Sequence, residues 1–250
     1  MKNLFSSPLL ATTVLALSSA LVASPAFANK KVYTPYVEAG ELELEYHAQY
    51  QFDRKDAELD GAQSHELAIG YGVNHVWATE LYGVFEQSGQ HDDHLNFTDI
   101  EWENRFQLTE PGKYWLDVGF YLAYEKTLES HSPDTIEAKL LLAKNSGPFQ
   151  NLANLILEKE VGPHAENLEG GLAWSTRYRY KEWFEPGVEL FSSFGVLDEN
   201  LSYDEQEHQF GPTIYGKIGH FKYDVGYLFG ISNAAPNGEL KTNFEYEVRF

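Results

Sequence analysis

Between Glu41 and Phe52 apolar and polar residues alternate without a break, Leu42, Leu44, Tyr46, Ala48, Tyr50 and Phe52 on one face, Glu41, Glu43, Glu45, His47, Gln49 and Gln51 on the other. A period of two is that of a β-strand lying between two different environments. Comparable alternation gives segments near 36–52, 64–73, 76–86, 96–108, 113–125, 135–145, 150–160, 166–180, 186–196, 208–219, 221–230 and 239–250. Each is close to the roughly 9–11 residues that a tilted strand needs to cross a bilayer. The links alternate too: long polar ones at 53–63, 87–95, 126–134, 161–165, 197–207 and 231–238, short ones at 74–75, 109–112, 146–149, 181–185 and near 220. The pattern predicts an all-β fold, a transmembrane up-and-down antiparallel β-barrel of about 12 strands with both termini on the short-link side. A β-sandwich with Greek-key crossovers gives no reason for such sorting of links. Two segments are blurred, because Leu140-Leu141-Leu142 and Leu155-Ile156-Leu157 break the period, and a short amphipathic helix competes with a strand there.

The two ends of the chain sharpen this picture. Residues 1–28 read as a signal peptide, with Lys2 as the positive start, an apolar stretch from Leu9 to Val22, and Ala26-Phe27-Ala28 as a small-x-small cleavage site. Ser18, Ser19 and Pro25 interrupt that stretch, which argues against a spanning helix of about 20 apolar residues. The expected division is therefore a signal at 1–28 and one barrel at 29–250. The last strand alternates from Leu240 to Phe250, and an alternating strand closed by a terminal Phe resembles the carboxy-terminal signal of Gram-negative outer-membrane barrels. That resemblance implies the bacterial outer membrane as location, its lipid and the barrel assembly machinery as partners, and an assembly role for Phe250. Aromatic residues fall near both sets of strand ends, Trp77, Trp115 and Trp183 by the short links, Tyr50, Phe97 and Phe229 by the long ones, as interfacial girdles do.

Composition then limits the function. Cysteine is absent, so disulfides and thiolate metal sites are excluded. The formal net charge of −20 argues against nucleic acid and in favour of cationic partners. If the apolar stripes face lipid, the other face lines a lumen rich in acid, including Glu66, Glu86, Asp99, Glu125, Glu158 and Glu189. The residues expected to line it are Glu41, Glu43, Glu45, Glu80, Glu101, Glu103, Arg177, Arg179, Glu245 and Arg249. Lys241 and Arg249 are expected beside the Glu41, Glu43 and Glu45 stripe, where opposite charges would help closure. Two interiors fit: carboxylate rings that bias an open pore towards cations, or a polar filling held in charge networks. Passive passage of small solutes, some of them cations, is the expectation from the first; a non-conducting structural or adhesive barrel is the alternative. In the long links, His91-Asp92-Asp93-His94 offers N and O ligands, making His91 and His94 candidate metal ligands. No cofactor motif is present. An enzyme would need a Ser/His constellation; Ser64-His65 and His131-Ser132 are adjacent pairs that a strand would split between faces, and no Gly-x-Ser-x-Gly elbow occurs.

Near the end, Gly211-Pro212-Thr213-Ile214-Tyr215, Tyr223-Asp224-Val225-Gly226-Tyr227-Leu228-Phe229-Gly230 and Asn233-Ala234-Ala235-Pro236-Asn237-Gly238 follow one another. These stretches resemble the family of putative outer-membrane transporters named for the meta-pathway of phenol degradation. The resemblance implies a barrel channel or uptake protein and carries no substrate with it.

Overall fold

A computed structural model describes residues 30–57, 59–89 and 94–249. The signal segment, His91 and Phe250 lie outside the described residues. Twelve strands follow in order: β1 (Glu41–Phe52), β2 (Gln63–Asn74), β3 (Trp77–Gln87), β4 (Asn96–Gln107), β5 (Asp117–Thr127) and β6 (Asp134–Ser146), then β7 (Phe149–Val161), β8 (Glu169–Tyr178), β9 (Glu185–Val196), β10 (Glu207–Ile218), β11 (Phe221–Gly230) and β12 (Gly238–Arg249). Each pairs antiparallel with its sequence neighbours, and β1 pairs with β12 from Glu41 opposite Arg249 to Phe52 opposite Gly238, so the sheet closes.

The polarity is inverted relative to a water-soluble domain. Leu44, Leu67 and Trp102 on the outer face are 50%, 55% and 53% exposed, while Glu45, Glu66 and Glu80 inside are 4%, 2% and 3% exposed. A continuous apolar wall of this kind far exceeds the patches that soluble monomers leave in water, and it is satisfied by lipid. Rings of aromatic side chains edge the wall. Tyr227 meets both Phe52 and Phe229 at the long-link end, and Trp77, Phe106 and Phe120 stack in sequence at the short-link end.

Two expectations change, and the strand reading of the blurred segments is upheld. Residues 36–40 do not extend β1, because the chain turns at Gly40 (φ 74°) and the preceding residues enter the barrel. β5 begins at Asp117 rather than near 113: Asp117 Oδ1 accepts from Gly112 N at 2.8 Å, and Lys113 pairs with Glu110 at 2.7 Å, so residues 108–116 form their own turn. That short-side link is therefore not short. The blurred stretches are strands, not helix: Leu140 and Leu155 face out while Leu141 and Ile156 face in, and both inward side chains are buried.

Candidate functional site

What packs against Leu141 and Ile156 is the chain's own amino-terminal segment. Tyr33 forms an internal apolar cluster with Tyr121, Ala123 and Leu141, and Val32 packs on a second cluster of Ile156, Ala173, Phe191 and Leu228. The lumen wall offers the segment apolar side chains around Val32 and Tyr33 and carboxylates around Lys31 and the Tyr33 and Tyr36 hydroxyls. Running from mid-barrel to the short-link end, the segment finds partners at each step. Asn243 Nδ2 donates to Lys30 O at 3.4 Å; Asn154 receives Tyr33 N at 2.7 Å and donates back to Tyr33 O at 2.9 Å. Tyr33 Oη donates to Glu103 at 2.6 Å, Tyr36 Oη to Asp117 at 2.8 Å, and Val37 N to Gln107 Oε1 at 3.0 Å. Paired backbone and buried hydroxyls make this a specific seat, since each broken pair would leave an orphaned polar group.

The wall is shaped for the segment. A Cβ on Gly72 would stand 1.9 Å from Glu38 O, and one on Gly119 would stand 2.8 Å from Pro35 Cβ. Gly72→Val is expected to expel the Glu38–Gly40 turn while leaving the ladder intact. The check is heat-modifiable gel migration that is retained while limited proteolysis cuts near residue 38; an unchanged proteolysis pattern would count against the seat.

Lys31 carries the charge of the segment. Its ammonium lies 2.5 Å from Glu45 and 3.8 Å from Glu80, with the Tyr33 ring centroid 4.8 Å away. Burial works against the ammonium, but Glu45, Glu80 and Glu103 outweigh it and hold Lys31 above the ordinary lysine range. A raised folded-state pKa means the pairing is complete below about pH 10 and is lost only as pH rises beyond the folded value. With respect to Lys31, docking is therefore expected to be the same at pH 7 and pH 9, read as equal conductance at the two values.

The lumen is otherwise a ladder of like charges. Glu43 faces Glu247, Glu45 faces Glu245, Glu80 faces Glu103, Glu101 faces Glu125, and Glu158 faces both Glu137 and Glu169. Directly opposed like charges are destabilising unless a cation intervenes. In the short-link half cations do intervene. Arg105 reaches Glu80 at 3.2 Å and Glu43 at 3.8 Å, Lys217 meets Glu247 at 2.6 Å, and Lys222 meets Glu245 at 2.9 Å as well as Glu247. In the long-link half Glu86, Asp99, Glu125, Glu158 and Glu169 have no ion pair among the described residues.

Of the residues singled out in the sequence, Glu41, Glu43, Glu45, Glu80, Glu101 and Glu103 point into the barrel and are buried, and Glu245 points inward at intermediate burial. Arg177 is half-buried and pairs with Glu185 at 3.3 Å; Arg179 lies beyond β8 and is exposed at the short-link rim. Arg249 pairs with Glu41 at 2.9 Å and with Glu38 of the segment at 2.7 Å. Lys241 does not join the Glu41, Glu43 and Glu45 stripe: it sits opposite Gln49, turns the other way, and meets Glu189 at 2.7 Å and Asp224 at 2.9 Å. His94 is exposed. Lys31, Tyr33 and Asn154 escaped the sequence reading; the signal for them was an apolar residue at an inward position, Leu141 between two outward leucines and Ile156 likewise.

A closed antiparallel barrel of twelve strands, apolar outside and charged inside, is the fold of outer-membrane channels. No family model matches the chain, and no curated protein does. Among solved structures it is similar to the COG4313 outer membrane channel from Pseudomonas putida F1, with a TM-score of 0.62 and 10% identity over 90% of this chain and 100% of that one. It is also similar to the NanC porin, with a TM-score of 0.55 and 9% identity over 83% of this chain and 99% of that one. At such identities the likeness is one of fold.

Proposed function

We propose that this protein lies in a bacterial outer membrane, its short links periplasmic, as a passive, cation-biased channel for small solutes whose lower lumen is narrowed by residues 30–40. The observation that carries the reading is the axial division of charge. Basic side chains answer the carboxylates in the short-link half, while in the long-link half Glu86, Asp99, Glu125, Glu158 and Glu169 form no ion pair among the described residues and Glu137 meets Lys139. A cation entering from the long-link side passes unanswered carboxylates first, and charged linings of this kind set selectivity in pores. The shared fold of the two channel structures supports a channel over an enzyme. So does the resemblance of residues 211–238 to the putative transporters of the phenol meta-pathway family, which speaks for uptake without naming a solute. His91 and His94 remain metal-ligand candidates of an outer link; unchanged zinc binding after both are replaced by Ala would remove them.

The seated segment favours a second reading, a barrel that conducts nothing and serves as a scaffold. Liposome swelling separates the two. Vesicles carrying folded protein are expected to swell faster in isosmotic lysine hydrochloride than in sodium glutamate, and Glu125→Gln with Glu158→Gln is expected to shrink that difference several-fold. Equal rates, no greater than those of empty vesicles, would leave the scaffold.

A further inference from the structure

The groups that hold the Lys31 ammonium belong to the barrel wall, apart from the Tyr33 ring. Glu45 Oε2 on β1 accepts from it at 2.5 Å and Tyr82 Oη on β3 at 3.3 Å, while Glu80 on β3 lies 3.8 Å away and the Tyr82 ring centroid 6.0 Å. The ammonium thus fills a receptor made by other strands. That receptor is not sealed, because the Lys31 side chain keeps 14% exposure where those of Glu45 and Glu80 keep 2% and 3%.

The wall needs a cation here whether or not the segment supplies it. Glu43, Glu45 and Glu80 bring one carboxylate oxygen each within 4.8 Å of one another. Arg105 reaches Glu80 and Glu43 but forms no ion pair with Glu45 among the described residues, and His47 beside Glu45 also stands 3.2 Å from Glu66. Geometry then selects the kind of cation. Glu45 presents a single oxygen, Oε2, which also has His47 Nε2 at 2.8 Å and Tyr82 Oη at 3.1 Å. A compact ammonium with rotatable donors fits such a point, whereas a planar guanidinium favours two carboxylate oxygens side by side. The Tyr33 and Tyr82 rings add the aromatic faces that attract a cation.

We propose that Glu45, Glu80 and Tyr82 form a binding site for the primary ammonium group of a solute, and that Lys31 occupies it as a tethered competitor. An alkylammonium solute entering the lumen takes the place of the Lys31 side chain and removes the charge that holds residues 30–40. The solute class is that of a small alkylamine in its charged form. Its use in passage rests on the channel reading above, yet binding needs no current to flow.

Equilibrium dialysis of the folded, detergent-solubilised chain against ¹⁴C-labelled n-propylammonium tests the site, since Lys31→Ala removes the same atoms that this probe restores. One saturable site per chain is expected in Lys31→Ala, with an affinity about tenfold or more above that of the parent, because a competitor on a short tether acts at millimolar effective concentration or higher. Guanidinium is expected to bind Lys31→Ala several-fold more weakly, 1-propanol not at all, and Glu45→Gln added to Lys31→Ala to abolish binding of n-propylammonium. No saturable binding to Lys31→Ala, equal binding to Lys31→Ala and the parent, or binding unchanged by Glu45→Gln overturns the site. If the Glu45→Gln variant does not fold, the uncharged probe decides, and 1-propanol binding as well as n-propylammonium would overturn it. A protein that binds n-propylammonium in this way and never conducts keeps the site and loses the channel, and one that conducts cations without binding it does the reverse.

Discussion

Lys31→Met is expected to raise the current through reconstituted protein, because it removes the cation that seats the segment between Glu45 and Glu80. Both carboxylates are buried but keep one other cation each, His47 beside Glu45 at 2.8 Å and Arg105 beside Glu80 at 3.2 Å, so the cost falls below the roughly 3–5 kcal/mol of stranding a buried charge outright. Here the barrel has a cheaper response than unfolding. Undocking residues 30–40 admits water to Glu45 and Glu80 while every ladder pair of β1 is kept. Most of the cost then falls on docking and lowers the seated fraction by about one to two orders of magnitude, at roughly 1.4 kcal/mol per factor of ten. Lys31→Arg retains the charge and is expected to stay close to the parent. Single-channel recording checks this: longer and larger openings in Lys31→Met are the expected result, and an unchanged trace with a lower unfolding temperature would make Lys31 a structural ion only.

Lys241→Met is expected to act on the barrel itself. Lys241 is fully buried between Glu189 and Asp224, on wall strands β12, β9 and β11. No mobile segment carries this cation, so its loss cannot be relieved by undocking. A penalty of about 3–5 kcal/mol is expected to appear as a lower temperature for the loss of compact migration on gels. Adding Glu189→Gln removes one of the stranded charges and is expected to recover part of it. Equal gel-shift temperatures for Lys241→Met and the parent would mean that the Glu189 and Asp224 carboxylates are already answered by solvent.

Both effects depend on features that differed sharply in how readable they were. The strands were legible because lipid outside and a polar lumen inside impose a strict period of two, visible in Glu41–Phe52 before any pairing is known. Their order followed from the links. The lower lumen was harder, because an inward leucine has two causes that look alike in sequence: a helix that ignores the period, or a strand whose inner face meets something apolar. Leu141 and Ile156 belong to the second case, their partners being Val32 and Tyr33 about 110–125 residues away. Gly72 and Gly119 gave no usable signal, since glycine at an inward position is also ordinary for a twisted strand. Lys241 was misplaced for a related reason. The register puts it on the right strand face, but a long side chain can choose between neighbours on either side, and Glu189 and Asp224 outcompete the Glu45 side, where Lys31 already sits.

The acidic upper lumen is the centre of this account, and the reversal potential in a salt gradient tests it most directly. With folded protein in a planar bilayer between concentrated and dilute KCl, the expected current is carried mainly by K⁺. The zero-current potential then has the sign of a cation-selective pore, and it moves towards zero in Glu125→Gln with Glu158→Gln. A potential of the opposite sign, or a silent bilayer with the Lys31→Met variant correctly folded in it, would contradict the account.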